Sequence, residues 1–257
     1  MAEIIIDDNT PLSSIQPPQA LGLIPRNHAT HPLGCYASAP PFDLPLIPES
    51  EWQSRLDAIN AAKARLSDVR NRGKDGQPMP SRDQDGYGYC WCHSTVSAML
   101  IVRAKMNQPY ADLSAFHIGC IIKGYRNQGG RGAESMEFAA EKGCATSATW
   151  PQQSTQRGND KAEMWADAAK YRITEWMDLG RSKERLVTCL LMGIPVVSDF
   201  NWWSHSVCTV DLVSINPFRT RIWNSWGDSW SENGMGILEG NRAIPDDALA
   251  PRLLLAS

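Results

Sequence analysis

The sequence predicts an α+β fold in two halves with a cleft between them, and three observations predict it. Between residues 84 and 192 the apolar positions recur with helical periods, and the runs are closed by glycine or proline. From residue 196 the pattern changes to short apolar runs bounded by turn residues, the mark of strands. The first 50 residues hold nine of the seventeen prolines, with no period between them. Proline fixes its own φ and donates no amide hydrogen bond, so this arm should be extended or looped and build no core. Helices first and strands later sort into separate lobes.

The arm is assigned to residues 1–50, with Pro17-Pro18 and Pro40-Pro41 its stiffest points. A linking helix over 51–66 follows. Pro48 stops the preceding chain, and Ser50 with Gln53 forms a capping box. Trp52, Leu56, Ile59, Leu66 and Val69 then fall on one apolar face. Gly73, Gly76, Pro78 and Pro80 mark a loop leading into the main domain, assigned to 67–257. Its first helix, 90–106, is apolar all round at its centre and so buried. Further helices are expected over 132–142, ended by Gly143, and over 160–170 and 182–192. Strands are expected over 196–200, 206–215, 219–223 and 235–238.

Composition narrows the function. Of 257 residues, 42% are hydrophobic and 21% charged, ordinary for a soluble domain. The net charge of -3 and the lack of a basic run give no electrostatic footprint for a nucleic acid. The longest apolar run, 98–102, is far short of the roughly 20 residues of a membrane span. The amino terminus is acidic where a secretory signal would be basic. Seven cysteines at irregular spacing leave at least one unpaired and read as free thiols in a reducing compartment. The expected location is therefore the cytoplasm or the inside of a large particle. Cys35, Cys120, Cys144 and Cys189 read as packing residues. Cys90, Cys92 and His93 point in diverging directions from one helix turn, so no metal and no organic cofactor is expected.

Three segments carry chemistry: Gln84 to Trp91, Ser204-His205-Ser206, and Trp223-Asn224-Ser225-Trp226-Gly227 with Glu232-Asn233-Gly234 beyond. A cysteine at a helix amino terminus meets the positive end of the dipole, which favours its thiolate. An imidazole can take the thiol proton and return it to a leaving amine. A side-chain amide on the other ring nitrogen fixes the tautomer. A glutamine amide and the cysteine's own backbone amide can hold an oxyanion. Each type stands in a suitable local setting: Cys90, His205, Asn224 and Gln84. Taken singly, Cys90 and His205 would read as packed core residues and Asn224 as a turn residue.

Taken in order, these segments resemble the signature blocks of the papain-like cysteine peptidases. Gln84 lies six residues before Cys90, as the family's oxyanion glutamine does, and Trp91 follows the cysteine. Asn224-Ser225-Trp226-Gly227 is similar to the family's Asn-Ser-Trp-Gly block, and Asn127-Gln128-Gly129-Gly130 resembles its substrate-holding glycine loop. The likeness spans residues 67 to 240. It implies a papain-like two-lobed fold, a helical lobe plus a β-barrel-like lobe. It also implies peptide-bond hydrolysis through an acyl-enzyme, with Cys90 as nucleophile, His205 as base, Asn224 as its orienting residue and Gln84 in the oxyanion hole. Gly88, Gly129, Gly130, Ser204 and Trp226 would line the substrate, with Trp226 covering the His205–Asn224 pair.

The departures are specific. The family has a cysteine where Tyr87 stands and another near Asn127, joined by a disulfide, and both are absent. Tyr89 replaces a small residue beside the nucleophile and has the bulk to narrow the cleft. Ser204 stands where Asp or Asn is usual, and the connection from Phe200 to His205 is short. The Trp202-Trp203 pair beside it is a candidate contact for substrate or partner. The expected partner is a peptide or protein substrate. Two alternatives use the same residues: a papain-like domain kept as an assembly component of a large particle such as a virion, held through the arm, or an amidase acting on peptidoglycan-type peptides.

Overall fold

The computed structural model describes residues 3–15, 21–39 and 42–254. Pro17, Pro18, Pro40 and Pro41, the stiff points of the arm, lie outside them. Seven helices are named here: α1 (Glu49–Ala61), α2 (Leu66–Val69), α3 (Cys90–Lys105), α4 (Ala115–Lys123), α5 (Gly132–Glu141), α6 (Ala162–Ala168) and α7 (Lys183–Leu191). The strands are β1 (Ile4–Ile6), β2 (Ile173–Asp178), β3 (Val196–Phe200), β4 (His205–Ser214), β5 (Arg219–Trp223), β6 (Met235–Glu239) and β7 (Asp247–Leu254). They form one sheet in the order β1-β6-β5-β4-β3-β7-β2.

Two apolar clusters sit on either side of this sheet, so the molecule is a mixed α+β fold of two lobes. One surrounds α3, which is buried from Cys90 to Ala104, and takes in α4, α5 and one face of β4 through Cys208 and Val210. The other packs α1 and α7 on the opposite face, around Trp52, Leu186, Phe200 and Val207. A strand covered on both faces shows a continuous apolar run rather than alternation, which is how β4 reads. Register shifts near Asp211 then turn Leu212 toward the second cluster.

Three expectations need correction. The arm does build core: Ile4–Ile6 pairs in parallel with β6 at the sheet edge, and Ile6, Ile15 and Ile47 are buried. The prolines are spaced widely enough to leave a β-branched run free to pair. The linking helix begins at Glu49, with Pro48 as its cap and no side-chain bond from Ser50. It stops at Ala61, because Lys63 turns left-handed at φ 50, and α2 is a separate turn. The elements α4, β2 and β7 were not expected, since short apolar runs with internal glycine, proline or charge carry weak periodicity.

Candidate active site

The four expected catalytic residues come from four elements that meet between the lobes. Cys90 opens α3, and its sulfur lies beside the backbone amides of Ser206, Gly22 and Trp91. His205 is the first residue of β4. It is delivered by a tight hairpin in which Phe200 and His205 pair across Asn201 to Ser204. The short connection before the histidine is thus a hairpin loop. Ser204 closes it in the left-handed region at φ 50, where Asp or Asn would sit more easily than serine.

His205 donates from Nε2 to Oδ1 of Asn224 at 2.7 Å, with the tautomer fixed by that acceptor, and its Nδ1 has no hydrogen-bond partner among the described residues. The Asn224 oxygen also accepts from the Ser225 amide at 2.8 Å, which locks the side chain. Trp226 stacks on the imidazole with ring centroids 4.6 Å apart, and Trp203 meets it edge-on at 4.9 Å. Trp203 is buried and walls the histidine, while Trp202, half-buried, stacks on Trp203. Gln84 is tied to the same block. Its backbone amide donates to Ser225 O at 3.0 Å, and its Oε1 accepts from Ser225 Oγ at 2.7 Å. Its Nε2 donates to Tyr87 O at 2.7 Å, which holds the loop leading to Cys90.

Tyr89 does not narrow the cleft. Its ring turns into the helical lobe, against Gly119 and Phe116, and its hydroxyl donates to Arg126 O at 2.8 Å. Where a disulfide would join two loops in the resembling family, Asn127 does so by hydrogen bonds. Its Oδ1 accepts from the Gly88 amide at 2.7 Å and its Nδ2 donates to Gly86 O at 3.3 Å. All seven cysteines are free.

The arm lies in the cleft, a placement that no motif in its sequence marks. Gly130 donates to Gly22 O at 2.9 Å, Ile24 donates to Gly130 O at 2.8 Å, and Leu23 donates to Ser204 O at 3.2 Å. Gly22 thus runs between Gly88 and Gly129, with its amide against the Cys90 sulfur. Four of the five residues expected to line the substrate, Gly88, Gly129, Gly130 and Ser204, are engaged by this segment or packed on it. Glycine is required by the close approach: a methyl on Gly130 would stand 2.5 Å from the Trp91 ring.

With the arm in place the site is fully buried. Burial pushes the Cys90 thiol up to about 12, against the neighbouring amides that favour its anion. Burial likewise lowers His205 to about 4, although its bond to Asn224 acts the other way. Desolvation disfavours both charged forms at once, so this arrangement holds a neutral thiol and a neutral imidazole.

Similarity searches of sequence give nothing: no family model matches the chain, and no curated protein does. Solved structures do. Xylellain, a cysteine protease of Xylella fastidiosa, superposes with a TM-score of 0.64 at 18% identity, over 92% of this chain and 98% of that one. Bromelain from Ananas comosus gives 0.59 at 18% identity, over 74% and 97%. The digestive procathepsin L 3 of Tenebrio molitor gives 0.56 at 17%, over 79% and 90%. The chain therefore has the papain-like cysteine protease fold.

Proposed function

We propose that the chain is a thiol peptidase held latent by its own amino-terminal arm. The observation that carries this reading is the arm itself. An extended segment, Gly22 to Ile24, is hydrogen-bonded to Gly130 and Ser204 with an amide at the Cys90 sulfur. A groove that seats one extended backbone beside a thiol is shaped to seat another.

In the active form a substrate strand replaces the arm. Water and substrate dipoles relieve the desolvation, and the thiol proton passes to Nδ1 of His205. The thiolate of Cys90 attacks the scissile carbonyl carbon. The resulting oxyanion is held by the Cys90 backbone amide and the Gln84 side chain. Collapse breaks the C–N bond, and the imidazolium gives its proton to the departing amine, leaving a thioester on Cys90. His205 then deprotonates a water that attacks the thioester, releasing the acid and restoring the thiol. Asn224 keeps the ring in one tautomer throughout, and Trp226 shields that bond from water.

Peptide cleavage and labelling by an epoxide electrophile, followed by mass spectrometry, test the reading. Substituting Cys90→Ala should abolish both, lowering turnover by at least about 10³-fold. Cleavage that persists in Cys90→Ala, or a Cys90 that never labels even when the arm is displaced, would sink it.

A further inference from the structure

Past Leu23 the arm enters a second feature of the cleft. Arg26 inserts its guanidinium between two carboxylates: Nη2 donates to Asp178 Oδ2 at 2.8 Å, and Nη1 to Asp247 Oδ1 at 3.1 Å. The three side chains are 0%, 2% and 3% exposed. Its remaining hydrogens go to the carbonyls of His31 and Pro32, at 2.8 Å each. A third carboxylate, Asp199, stands behind them. Its Oδ2 accepts from the Gly132 amide at 3.0 Å, and the Ser206 side chain on the neighbouring strand also favours its charged form.

Sheet register places this pocket beside the thiol. Ser206, whose amide meets the Cys90 sulfur, pairs with Asp199 on β3, and Asp199 pairs with Asp247 on β7. Residues directly opposite one another share a face, so Ser206, Asp199 and Asp247 form a row across two strand spacings, about 10 Å. The arm covers the same ground from Gly22 to Arg26, about 13 Å of extended chain. Asp199 is close enough to the sulfur for its charge to disfavour the thiolate.

Resting on the peptidase reading, we propose that this acidic pocket is the specificity pocket of the cleft, and that Arg26 occupies it in place of an arginine or lysine side chain of the substrate. Burial raises the cost of carrying charge on these carboxylates, and among the described residues the cation ion-paired with Asp178 and Asp247 is the arm's own. A substrate that displaces the arm must therefore either refill the pocket with a basic side chain or leave the carboxylates uncompensated. A hydrophobic side chain does the second. The planar guanidinium fits best, because Asp178 accepts from both terminal nitrogens of the fork and Asp247 shares Nη1.

The test uses the full chain and peptidyl electrophiles that differ only in one side chain, arginine or leucine, on the acyl side of the reactive group. Cys90 should label at least about tenfold faster with the arginine probe, both in the unaltered chain and in Arg26→Ala. Asp247→Asn should cut that ratio. Gly22→Ala, which is expected to lift the arm, serves in place of Arg26→Ala should that variant not fold. Equal rates, or faster labelling by the leucine probe, would overturn the pocket assignment. If no probe labels Cys90, the peptidase reading fails instead. The pocket is then judged by fluorescence anisotropy of an arginine-containing peptide amide. Binding to Arg26→Ala that Asp247→Asn abolishes sustains it, and no binding, or binding that Asp247→Asn leaves intact, removes it.

Discussion

The α-carbon of Gly22 lies so close to the carbonyl of Gly88 that a methyl on it would stand 2.1 Å from the oxygen. The obstacle is backbone, tied down by Asn127 and by Trp91 Nε1, which donates to the same oxygen at 2.8 Å. Overpacking of this kind costs about 1–3 kcal/mol. The arm can avoid that cost by leaving. Gly22→Ala should therefore shift the arm outward by a factor of about 5 to 150 in equilibrium constant. The readout is the rate of iodoacetamide labelling at Cys90. It should rise by that factor at neutral pH, and the pH profile should gain a thiolate component well below 12, where burial holds the unaltered thiol. A rate no faster than that of the unaltered chain would mean that the arm does not guard the sulfur.

Asn127 joins the loop before Cys90 to the glycine loop facing it. Truncation in Asn127→Ala leaves the buried Gly88 amide without its acceptor, a cost of about 1–3 kcal/mol. For a domain of this size that corresponds to a fall in Tm of roughly 2–12 °C. Calorimetry should find it with no reducing-agent dependence, because the link is not a disulfide. A Tm within a degree of the unaltered protein would show that the two loops are held by other contacts.

His205 and Asn224 make a third measurable pair. The bond is between a ring that becomes charged in the proposed mechanism and a side chain locked by the Ser225 amide. A hydrogen bond to a charged group contributes about 1.5–3 kcal/mol. Asn224→Ala should therefore lower kcat/KM by about 10- to 150-fold, carried by kcat with little change in KM. A loss confined to KM would assign Asn224 to substrate binding instead.

The site and the arm differ in how far the sequence discloses them. Cys90, Gln84, His205 and Asn224 each sit inside a short block whose neighbours are local in sequence, so their types and spacing are visible without coordinates. The Gly22–Gly88 contact is not, because proline content describes the stiffness of an arm and says nothing about where it lands. Asp178, Asp199 and Asp247 come from three strands, two of them unexpected, and only the β3–β7 and β2–β7 registers bring them to one pocket. Tyr89 shows the same limit in reverse. Its position next to the nucleophile suggested an obstructed cleft, but residues adjacent at a helix start point in different directions, and a gap at Gly119 receives the ring.

Asp199 gives the fold a pH dependence of definite sign. Burial raises its carboxyl from 3.8 to about 6, outweighing Ser206, the Gly132 amide and Arg26, which all favour the charged form, while Asp246 adds to the rise. Asp247, raised chiefly by burial to about 7, acts in the same direction, opposed by Arg26. A carboxyl with a raised folded value binds its proton more tightly in the native state than in the unfolded one. Its contribution is then fully present below about 4, and it is lost as pH climbs through 6 to 7. Thermal stability should accordingly decline between pH 4 and 7. Asp199→Asn keeps an acceptor for the Gly132 amide but cannot ionise, so the decline should flatten in the lower half of that window, while the Asp247 portion persists. Scanning fluorimetry across the range checks this. A stability that rises with pH in both proteins would show that Arg26 compensates the buried carboxylates more fully than their burial penalises them.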